Sequence, residues 1–154
     1  MWCAQRGWGE WASKAHPFPV TVSFLADGIK RLRAVSAQRA DAQEKMDFWR
    51  GMKNLEAGAG FMEQGGTEFA PMSTSSDFHV ALRYSSGAET RLLFKILTNG
   101  FMERGASLQF LSAFPGEREF LYAPLTFLQP TGAKEIIEMN GCKITVLEVK
   151  PLLS

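Results

Sequence analysis

The spacing of apolar positions changes partway along the chain. From about Thr21 to Lys45, Leu25, Ile29, Leu32 and Val35 recur at helical intervals, with Lys30, Arg31, Arg33 and Arg39 largely on the other side. This predicts an amphipathic helix whose basic face is solvated rather than bound to phosphate. Beyond it the period shortens. Asp47 to Lys53, DFWRGMK, reads as a strand with Phe48 and Arg50 on one face and Trp49 and Gly51 on the other. Glu56 to Pro71 carries four glycines and reads as loop with room for one helical turn; Gly58, Gly60 and Gly65 lack the spacing of a dinucleotide fingerprint. Next, MSTSSDFHVALRYSSG predicts a strand ending at Ser73-Thr74-Ser75, then a helix capped by Ser75 or Ser76. That helix would bury Phe78, Ala81 and Leu82 and end at Gly87.

The remainder reads mostly as strand. RLLFKIL from Arg91, SLQFL from Ser107 and EFLYAPLTFL from Glu119 are short apolar or alternating runs separated by glycine-containing turns. Between Lys134 and Lys150 a hairpin is expected, with Asn140-Gly141 supplying a type I′ turn. A helix followed by at least five strands makes the class α+β. Residues 1–19 mix three tryptophans, glycines and two prolines without periodicity and read as an irregular arm. Residues 20–154 read as a single domain, with no repeat or linker dividing them.

Composition narrows the classes. With 154 residues, 45% of them hydrophobic, and a net charge of +1, the chain can bury a core and carries no overall basic footprint for nucleic acid. No apolar run approaches the roughly 18–20 residues of a membrane span, and the start lacks the apolar core of a secretory signal. A soluble, cytoplasmic protein with no membrane partner is expected, with secretion left open. Cys3 and Cys142 are the only cysteines, and His16 and His79 stand alone. Neither a disulfide framework nor a metal site is therefore expected.

The segment with most chemical content is Phe114-Pro-Gly-Glu-Arg-Glu-Phe120. Read as a turn feeding a strand, it puts Glu117 and Glu119 on one face with Cα atoms roughly 6.5 Å apart, and Arg118 on the other. Like charges that close are unfavourable, so a purely structural strand would rarely choose them. Arg50 in an apolar strand asks for an anion, and the Ser73–Ser75 hydroxyls gather at a strand end. Taken singly, each has a plain structural account: an edge ion pair, a helix cap, turn acids paired with Arg118 or Arg104. Phe69, Phe114, Tyr122 and Phe127 are expected in the core.

Together, FWRG, then STS leading into a helix, then FPGEREFLYAPLTF resemble the arginine, serine and glutamate signature of the cholera-toxin-like mono-ADP-ribosyltransferases. The last segment is most similar to the arginine-specific branch. The likeness runs from about Phe48 to Val149. Members usually carry several helices before the arginine strand, where this chain offers one convincing helix. The resemblance implies an ADP-ribosyltransferase-like fold, with an N-terminal helix and a mostly antiparallel two-sheet β core. It implies NAD as substrate, no metal, and a protein with an accessible arginine as partner. Arg50 would pair with the NAD phosphates, and the backbone of Gly51 would lie against the nicotinamide amide, the glycine leaving room for it. Ser73 would bond the catalytic Glu119 and the nicotinamide ribose, with Thr74 and Ser75 supporting the strand end. Phe69, just ahead of that strand, is placed to stack on nicotinamide. Glu119 would meet the positive charge of the breaking glycosidic bond, and Glu117 would orient or deprotonate the acceptor guanidinium.

The chemistry agrees. Cleavage of nicotinamide builds an oxocarbenium-like ribose, which a fixed carboxylate stabilises better than water does. The same residues admit an NAD glycohydrolase, with water as acceptor. A retaining glycosidase using the two carboxylates, or a truncated non-catalytic binding module of the same fold, are the other classes the residues allow.

Overall fold

The computed structural model describes residues 18–153 except Arg39, Ala88 and Asn140. Helix α1 spans Pro19–Ser36, with proline in its first turn, where a missing N–H costs nothing. It is shorter than the periodicity predicts. Ala37 and Gln38 already bond back only three residues, to Ala34 and Val35. The carbonyls that follow are taken by distant donors, Phe101 N–H on Ala42 at 2.7 Å and the Arg104 guanidinium on Glu44. Of the predicted stripe Ile29 is buried and Leu32 partly so, while Leu25 and Val35 are exposed. Arg33 also departs from the solvated face, donating to the carbonyls of Arg104 (2.8 Å) and Met102 (2.5 Å). The irregular arm falls outside the described residues up to 17, together with Cys3 and His16, and Pro19 already belongs to α1.

The other elements follow as β1 (Met46–Lys53), α2 (Phe61–Gln64), β2 (Gly66–Glu68), β3 (Met72–Ser75), α3 (Phe78–Ser85), β4 (Arg91–Thr98), β5 (Ala106–Ser107), β6 (Glu119–Tyr122), β7 (Thr126–Met139) and β8 (Cys142–Leu152). Hydrogen bonding links the strands in the order β2-β7-β8-β4-β1-β3-β6-β5. Every pairing is antiparallel except β4 with β8.

This continuous ladder cannot lie flat. The five inter-strand steps from β2 to β3 would span roughly 24 Å in a flat sheet, yet Glu68 and Met72 are joined by residues 69–71 alone, a reach of at most about 14 Å. The ladder therefore folds over on itself. The join between its two parts is narrow, since β1 meets β3 at the single registered pair Trp49↔Ser75. The expected two-sheet core is thus two layers of one ladder.

Strand alternation sorts the side chains as predicted in β1. Phe48 and Met52 enter the main core with Leu92, Phe94, Ile96, Tyr122, Leu147 and Val149. On the opposite face Trp49 packs against Phe78 with ring centroids 4.9 Å apart, in a second cluster with Ala81, Leu93 and Val146 beneath α3. Burying each large apolar side chain stabilises the fold by roughly 1.5–3 kcal/mol, so the two faces of β1 hold sheet and helix together.

Several local expectations shift. Asp77, not Ser75 or Ser76, caps α3, its carboxylate accepting from His79 N–H at 2.8 Å. The buried stripe is Val80, Ala81 and Ser85, with Phe78 and Leu82 partly buried, and the helix stops at Ser85 ahead of Gly87. Of SLQFL only Ser107 is strand, together with Ala106 in β5. Leu108 N–H makes the last bond, to Glu119 at 2.9 Å, and Leu111 and Ser112 then turn back onto Leu108. EFLYAPLTFL splits at Ala123-Pro124, where Leu125 takes a positive φ of 66° and Thr126 Oγ1 closes the turn on Ala123 O at 2.7 Å. The hairpin forms with Met139 opposite Cys142, while Asn140 lies outside the described residues. Of the four aromatics expected in the core, Tyr122 is fully buried and Phe127 half-buried, whereas Phe69 and Phe114 are exposed.

Candidate active site

Strands β1, β3 and β6 lie side by side, and one cavity of about 580 Å³ opens across them and the facing turn of α3. Its walls include Trp49, Arg50, Gly51, Lys53, Ser73, Thr74, Ser75, Tyr84, Phe114, Glu117 and Glu119. The size falls within the ~300–1,000 Å³ usual for small-molecule sites.

The register explains its most direct contact. Ser73 pairs with Leu121 and Ser75 with Glu119, so Ser73 and Glu119 are diagonal neighbours on one face. Ser73 Oγ donates to Glu119 Oε1 at 2.6 Å, a charge-assisted bond that fixes the carboxylate. The next two hydroxyls bond to backbone groups. Thr74 Oγ1 donates to Phe120 O at 2.8 Å, fastening β3 to β6. Ser75 Oγ donates to Glu117 O at 2.6 Å and accepts from Asp77 N–H at 2.9 Å. One serine thus ties the glutamate turn to the start of α3.

Glu117 and Glu119 do reach the same cavity, but not by strand alternation. Glu117 closes a 3₁₀ turn over Pro115–Glu117, and only Glu119 lies in β6. Arg118 between them adopts the left-handed conformation, φ 47° and ψ 51°, which costs a non-glycine residue roughly 1–2 kcal/mol. That conformation re-aims the chain between the two acids. The Glu117 carboxylate then meets the Tyr84 hydroxyl, which donates at 3.0 and 3.1 Å to its two oxygens.

Arg50 lines the cavity with its side chain 14% exposed. One Nη donates to Ser73 O at 3.0 Å, the other stands 3.5 Å from Glu68 Oε2, and the buried Nε has no acceptor. Burial pulls the guanidinium below its usual range, and the Glu68 charge opposes that shift. An arginine stays protonated even so. A buried cation with an unmet donor fits an anionic ligand such as a phosphate.

Gly51 has a packing role. A Cβ there would lie 1.9 Å from Ala81 O, so the glycine is needed for α3 to press against β1, although its backbone also lines the cavity. Phe69 follows β2, half exposed, and is not among the residues lining the cavity. The structure thus gathers Arg50, Gly51, Ser73, Thr74, Ser75, Glu117 and Glu119, and leaves Phe69 outside.

Three residues at the site escaped the sequence reading. Glu68 and Tyr84 carried no local signal, since their partners Arg50 and Glu117 are distant in the chain. Phe114, 67% exposed at the cavity rim, was legible in principle because it precedes the proline-glycine turn. Among the described residues no group of acids, histidines and cysteines could hold a metal, and no helix is long and apolar enough to cross a membrane.

No family model and no curated protein matches the chain. Solved structures do. The fold is similar to Plx2a, an ADP-ribosyltransferase toxin from Paenibacillus larvae, at TM-score 0.60 and 16% identity, covering 93% of this chain and 75% of Plx2a. It is similar to the ADP-ribosyltransferase HopU1 of Pseudomonas syringae pv. tomato DC3000 at TM-score 0.60 and 15% identity, covering 97% of this chain and 62% of HopU1. Exoenzyme S from Pseudomonas aeruginosa, solved with human 14-3-3 protein beta and bound to carba-NAD, matches at TM-score 0.50 and 19% identity, over 80% of this chain and 56% of that one. The chain has an ADP-ribosyltransferase fold.

Proposed function

We propose that residues 20–154 form a single catalytic domain that transfers ADP-ribose from NAD to the guanidinium of a protein arginine, releasing nicotinamide, in the manner of the cholera-toxin-like arginine-specific branch. The observation that carries this reading is the Ser73–Glu119 bond of 2.6 Å, made in the cavity that also holds Arg50 and Glu117. The carba-NAD bound by Exoenzyme S is in keeping with NAD as the substrate.

Arg50 supplies the buried charge for the NAD phosphates. Ser73 holds Glu119 where the ribose ring develops positive charge. As the bond from C1′ to the nicotinamide nitrogen breaks, its electron pair leaves with nicotinamide, and the fixed carboxylate stabilises the oxocarbenium-like ribose. Glu117 faces the acceptor. A guanidinium nitrogen bonds to C1′ and its proton passes to Glu117. Two carboxylates also attract the cationic acceptor, which favours arginine as target.

The test is nicotinamide release from NAD by the purified protein, with and without the small guanidine agmatine, beside Glu119→Gln. Agmatine-dependent acceleration with formation of ADP-ribosyl-agmatine, lost in the variant, is the expected result. Release that agmatine leaves unchanged would assign a glycohydrolase instead. No release from folded protein would leave a non-catalytic binding module.

A further inference from the structure

Tyr84 projects from the last turn of α3 toward the Glu117 carboxylate, for which no other side-chain donor is found among the described residues. Glu117 is half-buried and ends a 3₁₀ turn whose first two residues, Pro115 and Gly116, are exposed, so the turn gives its side chain little packing. The Tyr84 hydroxyl lies nearly equidistant from both Glu117 oxygens, at 3.0 and 3.1 Å. A phenol has one proton, so the two contacts are one bond shared between two acceptors. A carboxylate offers roughly four acceptor sites. Shared donation fixes the rotation of the group and leaves capacity on each oxygen for a second donor.

We propose that Tyr84 is a positioning residue for the acceptor half of the site, holding Glu117 in the orientation that receives a guanidinium and so setting how ADP-ribose is divided between a guanidine and water. The inference rests on the ADP-ribosyltransferase reading and deepens it. Tyr84 is 54% exposed, so its packing does not call for a hydroxyl; phenylalanine would serve that purpose equally. The proton needed for the bond is retained at working pH. The bond to Glu117, then burial and the charges of Glu117 and Glu119, raise the phenol above its ordinary range, and Arg83 on the same helix opposes them. The other charged groups at the cavity, Arg50 and Lys53, come from β1.

The experiment compares parent, Tyr84→Phe, Glu117→Gln and the double variant, with NAD and saturating agmatine, measuring ADP-ribosyl-agmatine and free ADP-ribose separately. In Tyr84→Phe the kcat for transfer is expected to fall about tenfold more than that for hydrolysis, the scale of a hydrogen bond to a charged group. Added to Glu117→Gln, the same change is expected to have no further effect on the partition, because Tyr84 acts through Glu117. Equal loss of both reactions, an unchanged partition, or additive effects in the double variant would each overturn the proposal. A parent that cleaves no NAD would overturn the reading beneath it, and the proposal with it. A parent that cleaves NAD with an unaltered partition in Tyr84→Phe would overturn the role of Tyr84 alone.

Discussion

The two carboxylates of the cavity are held in opposite ways. Glu119 starts β6, lies across the ladder from Ser75 and is bonded by Ser73 at 2.6 Å. Glu117 ends an exposed turn and is held by a half-exposed tyrosine from a helix. The first arrangement is as stiff as the sheet, and the second can adjust. That division suits the proposed transfer from NAD to a protein acceptor. The charge that meets a breaking bond must be fixed before the reaction begins. The group that greets a protein surface gains from sitting on a turn that can accommodate it.

The comparison can be broken by experiment. Glu119→Gln keeps shape and removes charge, so nicotinamide release should fall roughly 10²–10³-fold with or without agmatine; near-parental turnover would show that the stiff carboxylate is not the one that matters. Glu117→Gln should lower agmatine transfer by about 10²-fold, the lower end of what a general base contributes, while free ADP-ribose still forms. Equal damage to both products would erase the division of labour. In Arg50→Lys, a point charge replaces the fork, and the KM for NAD should rise about tenfold if one charge-assisted bond is lost. An unaltered KM would mean that Glu68 keeps Arg50 from the phosphates. Thr74→Val removes the hydroxyl that ties β3 to β6 and should cost about 1 kcal/mol of unfolding free energy, read as a lower denaturation midpoint. A change in catalysis larger than that in stability would show that even the stiff region is tuned from behind.

Much of the site was legible because its residues are marked by their immediate neighbours. Arg50 stands out against an apolar strand, the Ser73–Ser75 hydroxyls crowd a strand end, and two acids follow a proline-glycine turn. The geometry behind the last of these is not that of a strand. Alternation in a strand was expected to align Glu117 with Glu119, whereas a left-handed Arg118 does so. A non-glycine residue in that region has no local sequence signature, because the surrounding bonds impose it. Ser75 on Glu117 O and Ser76 N–H on Arg118 O make that imposition.

The sequence by itself determined the alternation that sends Phe48 and Met52 to one face of β1 and Trp49 to the other, the helix-then-sheet order, and the identity of the candidate catalytic groups. These depend on residues within one or two turns or pleats of each other. Only the tertiary structure decided that α1 stops at Ser36, that the ladder folds over on itself, that Gly51 admits α3, and that Glu68 and Tyr84 belong to the site. Each of those joins groups far apart in the chain, and such contacts form only when the whole ladder closes and makes ordering both partners worthwhile.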